Sequence, residues 1–537
     1  MSTTPVNEQL RATAEAWLAE DPDPETRAEL RALLDAGDVD ALADRFRGHL
    51  QFGTAGLRAE LGAGPMRMNR VVVRRAAGGL ARWLLDTDAA AAERGVVVGF
   101  DARHNSDVFA ADSAAVFAGA GLRAQLMPHP VPTPVLAFAV TELGAAAGVM
   151  VTASHNPRRD NGYKVFLAEG RQIVSPVDAA IAAEIEAVGP TSSIPLAAPG
   201  DPLVGPVGDD AINAYIAHAA AVRLVPDVGE VRVAYTALHG VGAQLALAAF
   251  QQARLPAPAL VRAQERPDPD FPGLPFPNPE EPGTLDLLLD EAASIGADVG
   301  LANDPDADRL GVVIPTPGGG WRRLSGDEIG WLLADHILRH TTGDDRLVVT
   351  TLVSSSLLGK MAVAAGVAYQ ETFTGFKWIA KAALDHPDRR FVFGYEQALG
   401  YLVTDRPLDK DGISAAVLFA ELAALARRDG VTLQDRLDDI AERFGHHVTA
   451  ERSVRVDPLA MPALMAKVRA NPPLSIAGAA VTSVQDIAAA DLVRYECAGG
   501  ARVQIRPSGT EPKVKIYVET VGADPAPLLD AAEELLL

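Results

Sequence analysis

Short apolar runs, each followed by a stretch of helical periodicity, recur in three successive rounds along this chain, and that pattern restricts its fold more than any other feature. VVVGFD (96–101) reads as a buried strand, 107–121 as a helix, and AGVMVTAS (147–154) as a second strand ending in a polar loop. The alternation restarts with VRVAYTAL (231–238), a helix over 242–252, a strand at ALVRA (259–263), a helix over 285–294 and VGLAND (299–304). A third round runs from the helical GDEIGWLLADHILRH (326–340) through RLVVTTLV, a strand near Tyr369 and FVFGYE (391–396) to a long helix after Asp411. A strand apolar on both faces must be covered on both, and strands separated by helices run parallel, so each round predicts a parallel sheet between helical layers. The last stretch alternates shorter strands and helices, with KVKIYVET (513–520) strictly alternating, which predicts an α+β unit. Residues 1–48 carry helical spacing at Leu10, Ala14 and Leu18 and again at Leu30, Leu33 and Leu34. The Pro- and Gly-rich stretch 188–209 reads as a linker and PTPGGG (315–320) as a second boundary. The expected layout is a helical extension over 1–48, similar α/β units over 49–205, 206–318 and 319–440, and a smaller α+β unit over 441–537.

Charge narrows the partners. Lys and Arg number 48 against 70 Asp and Glu, a formal net charge of −22. Nucleic-acid binding needs a basic footprint, so a polyanion binder is excluded, whereas a small phosphorylated substrate needs only a few local cations. One cysteine, Cys497, rules out a disulfide framework and a multi-cysteine metal cluster. No apolar run is long enough for a membrane span, and the polar, acidic N-terminus lacks the signal-peptide pattern, so a cytoplasmic protein is expected.

Ligands of parallel sheets bind beyond the carboxyl ends of the strands, so polar loops there carry the chemistry. TASHNPRRDNGYKVF (152–166) puts Ser154 directly after a buried strand, with His155, Arg158, Arg159 and Lys164 around it. A hydroxyl so placed suits a nucleophile or phosphoryl carrier; the alternative is a polar loop with a solvated basic patch. NDPDADR (303–309) spaces Asp304, Asp306 and Asp308 two apart beside Arg309, a hard-oxygen set that fits Mg²⁺. An EF-hand fails for want of the glycine and closing glutamate, and a bare acidic turn would leave three like charges without a cation. GYEQALGYLV (394–403) ends a strand at Glu396, whose carboxylate can accept from sugar hydroxyls, and Lys410 in PLDKDGI stands before a helix; a helix-capping loop is the alternative. RPSGTEPKVKIY (506–517) offers Arg506, Ser508, Gly509, Thr510, Lys513 and Lys515 as a phosphate cradle, or else as an ordinary hairpin turn.

Together, and in this order, the loops resemble those of the α-D-phosphohexomutase superfamily, the phosphoglucomutases and phosphomannomutases. FGTAGLRAELGAGPMRMN (52–69) and FPNPEEPG (276–283) look like the branch that also holds phosphopentomutases. The resemblance implies an α/β, four-domain architecture around a central cleft, with three similar mixed α/β domains and a smaller C-terminal α+β domain. It implies Ser154 as the phosphorylated residue and, with Asp304, Asp306 and Asp308, a metal ligand. Arg58, His155 and Lys164 match positions at the reacting groups, and Arg309 follows the metal ligands as in the family. Glu396 matches the sugar contact, and Arg506, Ser508, Gly509 and Thr510 the distal phosphate site; Lys410 and Lys515 are added as substrate-binding candidates from the residues alone.

The implied reaction interconverts hexose 1-phosphate and hexose 6-phosphate, glucose and/or mannose, through a phosphoserine enzyme, with Mg²⁺ and a sugar 1,6-bisphosphate as intermediate and activator. Lys164 is the first candidate for general acid/base and His155 the second. The family's sugar loop often carries Ser where Ala398 stands, so a phosphopentomutase acting on ribose or deoxyribose phosphates is the alternative. A bisphosphate synthase with an external phosphoryl donor ranks below both. A non-catalytic phosphosugar sensor would be expected to have lost Ser154 or an aspartate, and all four are present.

Overall fold

The computed structural model describes residues 4–52, 56–508 and 512–536. The chain forms two compact units: one takes the chain up to residue 223 with 230–313 and 404–420, the other 224–229, 314–403 and 421 onward.

In the first unit, a six-stranded sheet has the order Leu57–Glu60, Asp160–Leu167, Ala147–Val151, Val96–Phe100, Ala124–Leu126, Val204–Pro206. Ala147–Val151, Val96–Phe100 and Ala124–Leu126 at its centre are parallel, as the continuous hydrophobicity of the first two predicts. The stretch read as a linker over 188–209 instead supplies the edge strand Val204–Pro206, parallel to Ala124–Leu126. An edge needs a ladder on one side only, and so it accepts proline. The expected strand over 259–263 is just Ala259–Leu260, because Arg262–Gln264 coils into a 3₁₀ turn. It joins a second sheet in which Val233–Thr236 lies between it and Val299–Ala302.

The sheets are mixed rather than wholly parallel. Asp160–Leu167 returns antiparallel to Ala147–Val151, and Gly311–Pro315 antiparallel to Val299–Ala302. In the second unit Gly400–Leu402 does the same beside Arg390–Glu396. These three polar loops therefore turn the chain straight back into their own mixed sheets instead of leading into a helix, and the fourth joins two antiparallel neighbours, Arg502–Pro507 and Lys513–Val521.

Three helices, Thr4–Glu20, Pro24–Ala36 and Val39–Phe46, form the N-terminal extension. Asp23 caps the second from its side chain, Pro24 opens it, and Gly37 closes it at φ +64°. Ala14, Trp17, Leu30, Leu34 and Leu42 bury themselves with Ala63 and Val71, so the extension packs on the first α/β layer. Among the described residues no helix is long and apolar enough to cross a membrane.

In the second unit, a four-stranded sheet of order Ala368–Thr372, Arg346–Thr351, Arg390–Glu396, Gly400–Leu402 stands beside a six-stranded antiparallel sheet. PTPGGG forms a tight turn, closed by the Thr316 N–H donating to Gly320 O at 3.0 Å. Lys513–Val521 is an inner strand of the antiparallel sheet. The alternation expected over 513–520 stops at Ile516, because residues 516–520 are all buried.

Buried Glu519 accepts from Ser355 Oγ (2.5 Å), Ser356 N (3.0 Å) and His447 Nδ1 (2.8 Å), and pairs with Arg502 at 3.0 Å. Burial would raise its pKa, but His447 and Arg502 outweigh burial and pull it to about 2. Asp327 accepts only neutral donors, Ser355 N, Tyr395 Oη and Thr449 Oγ1, and burial pushes it to about 6.

Two expectations follow. A raised carboxyl pKa contributes stability that is present below its unfolded value, near 3.8, and lost as pH rises through about 6. Asp327→Asn should therefore raise the calorimetric midpoint of the second unit near pH 7.5, by an amount equivalent to at most about 3 kcal/mol, and leave it unchanged near pH ~4; equal shifts at both would contradict the assignment. Gly79, where Arg70–Thr87 crosses Val177–Ala187, leaves no room for a side chain, since a Cβ would lie 2.5 Å from Ile185 N. Gly79→Val should lower the thermal midpoint of the first unit by an amount equivalent to ~1–3 kcal/mol.

Candidate active site

Ser154 lies in the loop between Ala147–Val151 and Asp160–Leu167, buried, with a left-handed φ of +53°. Its N–H donates to Thr152 Oγ1 at 2.8 Å, and Thr152 Oγ1 donates to Asp101 Oδ2 at 2.6 Å. The conformation turns the Ser154 hydroxyl toward Asp304 Oδ2, to which it donates at 3.0 Å, with His155 Nδ1 3.2 Å from Ser154 Oγ.

Asp304, Asp306 and Asp308 occupy the turn between Val299–Ala302 and Gly311–Pro315. Ala307 N donates to Asp304 O (2.8 Å) and Arg309 N to Asp304 Oδ1 (3.0 Å), so the loop folds on itself and its carboxylates converge. One oxygen from each lies within 4.8 Å of the others, and all three residues are fully buried. Such a cluster needs counter-charge. Lys164 Nζ donates to Asp306 Oδ2 (2.7 Å) and Asp308 Oδ2 (2.9 Å), and Lys410 Nζ lies 2.9 Å from Asp308 Oδ2. Thr133 adds its hydroxyl to Asp306 Oδ2 at 2.6 Å.

The electrostatics divide the three aspartates. Burial raises all of them, but Lys164 with Thr133 holds Asp306 far below the usual range, and Lys164 and Lys410 hold Asp308 low. Asp304 is driven well up by burial and its two acidic neighbours. Lys164 is raised, because Asp306 and Asp308 outweigh its burial. His155 is pushed well below 6.5 by burial and by Arg309 and Arg58, so its ring is neutral near pH 7.

The donor set fits a small divalent cation. Asp306 Oδ1 and Asp308 Oδ1 are buried and accept no hydrogen bond from the described residues, and carboxylate oxygens are what such ions prefer.

Arg58, opposite Gly162 in the ladder, donates to Asn156 Oδ1 at 2.8 Å. The Arg309 guanidinium lies 3.4 Å from Glu280 of the proline-rich loop PDPDFPGLPFPNPEEPG (267–283). The first unit thus brings Arg58, Ser154, His155, Lys164, the three aspartates, Arg309 and Lys410 to one place. Glu396, Arg506, Ser508 and Lys515 belong to the second unit. Glu396 is buried at the end of its strand; Gln397 next to it donates from N to Ser354 Oγ (3.2 Å), and Leu399 adopts φ +62°. Arg506 faces Lys515 across the ladder, Ser508 N donates to Lys513 O at 2.8 Å, and Lys515 pairs with Glu451 at 3.2 Å. Gly509 and Thr510 lie outside the described residues. Sequence reasoning passed over Asp101, Arg103, Thr133 and Thr152. Only the clustering of polar residues after the strand in GFDARHNS hinted at the first two.

Four family models match the chain: phosphoglucomutase/phosphomannomutase alpha/beta/alpha domains I, II and III over 49–191, 213–319 and 325–444, and the C-terminal domain over 454–535. A Haemophilus influenzae protein described as "Probable phosphomannomutase" is 42% identical over 86% of this chain and 94% of its own length. The mouse phosphopentomutase is 33% identical over 97% of this chain and 92% of its own. The structure of a phosphoglucomutase/phosphomannomutase family protein from Burkholderia thailandensis shares the fold, with a TM-score of 0.72 at 20% identity over 90% of this chain and 96% of that one. The chain belongs to the phosphoglucomutase/phosphomannomutase family of phosphosugar mutases, which are intramolecular phosphotransferases.

Proposed function

We propose that this mutase interconverts hexose 1-phosphates and hexose 6-phosphates, of glucose and/or mannose, through a phosphorylated Ser154 and a sugar 1,6-bisphosphate. The observation that carries the reading is the Ser154 hydroxyl, held 3.0 Å from one carboxylate of a buried triad that has two oxygens to spare. Ser154, Asp304, Asp306 and Asp308 would hold Mg²⁺, which neutralises charge on a phosphoryl group and aligns it.

The free hydroxyl of the bound monophosphate attacks the phosphorus on Ser154. A new O–P bond forms, the Oγ–P bond breaks, and the hydroxyl proton passes to a base. Its raised pKa makes Lys164 an acid as it stands. His155, neutral and beside Ser154, is the better base, which reverses the order of preference drawn from the residues alone. Arg58 and Arg309 add positive charge for the transferring group. The bisphosphate then returns its other phosphate to Ser154 and also serves as activator. Glu396 would hold sugar hydroxyls, and Arg506, Ser508, Gly509, Thr510 and Lys515 the non-reacting phosphate, with Lys410 assisting. We propose the domain borders 49–205, 206–318, 319–440 and 441–537 after the N-terminal extension, and a cytoplasmic setting consistent with a single cysteine.

Ala398, where many relatives of the hexomutase type place serine, favours a second reading, a phosphopentomutase.

Turnover of glucose, mannose and ribose 1-phosphates by one preparation, with Mg²⁺ and the matching bisphosphate, separates these readings. Hexose turnover that falls to background in Ser154→Ala is the expected result; a ribose preference selects the pentomutase, and no turnover on any sugar by folded, phosphorylated protein refutes both. Asp306→Asn should weaken Mg²⁺ binding by at least ~10-fold in calorimetric titration while the protein stays folded. Unchanged affinity would remove the triad from the metal site.

A further inference from the structure

We infer that Arg103 is the positioning residue of the nucleophile loop, and that Phe271 of the proline-rich stretch seals it in place. The inference rests on the reading of Ser154 as phosphoryl carrier. Arg103 lies just beyond the strand Val96–Phe100 and is buried. Its Nη2 donates to the carbonyls of Ser154 (2.6 Å) and Asn156 (2.7 Å), and its Nη1 to those of Pro157 (2.9 Å) and Asp160 (3.2 Å). One guanidinium therefore gathers four carbonyls from this loop and the start of its return strand, of which Pro157 O also accepts from Asp160 N at 3.0 Å.

Its Nε lies 3.3 Å from Asp101 Oδ2, and Asp101 holds the Thr152 hydroxyl that receives the Ser154 N–H. The Asp101–Arg103 pair thus grips Ser154 on both sides, at its N–H through Thr152 and at its C=O directly. Those are the two groups that must stay fixed if a non-glycine residue is to keep a φ of +53°. Only a planar, forked donor set reaches all four acceptors; a lysine ammonium has neither the span nor the geometry.

Above the guanidinium lies the Phe271 ring, 4.9 Å from Cζ to the ring centroid. Phe271 is itself buried at φ +45°, in the stretch PDPDFPG. An aromatic face over a cation attracts it and keeps water off its hydrogen bonds. Eleven residues on from Phe271 by sequence, the same proline-rich stretch ends at Pro282, having passed Glu280 beside Arg309. It therefore touches both the arginine that holds the nucleophile loop and the metal loop, which gives a motif with no role in the chemistry a role in alignment.

The test compares wild type, Arg103→Lys, Arg103→Ala and Phe271→Ala. It reads kcat and KM on whichever sugar the wild type turns over, hydrogen exchange of the 152–160 amides, and the ³¹P resonance of phosphoserine after loading with the sugar 1,6-bisphosphate. Displacing a reacting group by about 1 Å costs roughly 10²-fold, so kcat should fall about that far in both Arg103 variants with KM little changed. Exchange should rise in 152–160 but not across the rest of the fold, and the ³¹P resonance should shift. Added guanidinium should restore Arg103→Ala, and methylammonium should not. Phe271→Ala should lose activity in the same direction but less. Wild-type kcat and unchanged loop exchange in Arg103→Lys would overturn the inference, even if Arg103→Ala failed to fold. Should the wild type turn over no sugar, the mutase reading falls, and the brace is then decided by the exchange data alone: rising exchange upholds it and unchanged exchange overturns it.

Discussion

Three carboxylates enclosed within 4.8 Å of one another set the terms for everything around them in the first unit. Away from water, their mutual repulsion is severe unless cations are held against them. The two ammonium groups come from segments far apart in sequence, Lys164 from a strand of the first sheet and Lys410 from the returning stretch 404–420. Thr133, at the start of a helix under the first sheet, adds its hydroxyl to Asp306 and its N–H to the Asp306 carbonyl. Satisfying the carboxylates thus fixes the first sheet, the second sheet and that stretch against one another. Two ammoniums for three aspartates leave the balance one charge short, and the deficit shows in Asp304, the member pushed toward its neutral form.

The polar loops share a second constraint. In all three mixed sheets the loop turns a central parallel strand back on itself as an antiparallel neighbour. A loop pinned at both ends to one sheet has less freedom than a connection leading to a helix, and reacting groups gain from that rigidity. Ser154 and Leu399 both take left-handed φ values inside such loops, conformations that persist only where the surroundings hold them.

How far the sequence disclosed this depended on the range of the interactions. Ser154, the aspartates and Glu396 stood out because each directly follows a continuous apolar strand, a local signal. The helices of the extension, and the strands Val96–Phe100, Ala147–Val151 and Arg346–Thr351, were equally legible from periodicity. The antiparallel returns were not, since an apolar run such as GYKVFL reads alike in either direction. Val204–Pro206 was hidden by its prolines and glycines, which an edge tolerates. Arg103 and Thr133 were hidden for a different reason. Their partners lie 51 to 57 and 173 positions away, and no local pattern marks an arginine destined to hold a distant loop.

The same range of interaction explains how a chain of net charge −22 can receive an anionic substrate. Around the Ser154 hydroxyl the cationic side chains Arg58, Arg103, Lys164, Arg309 and Lys410 stand against the carboxylates of Asp101, Asp304, Asp306 and Asp308. Five cations against four carboxylates, one of which, Asp304, is pushed toward its neutral form, leave a local positive excess, opposite in sign to the whole chain, and the distant acidic charges are screened by salt over roughly 10 Å. A divalent cation on the triad would add to that excess, in the sense that suits a dianionic phosphoryl group. A cation held by the triad and an anionic substrate would therefore favour one another through charge, before any contact with the sugar is made.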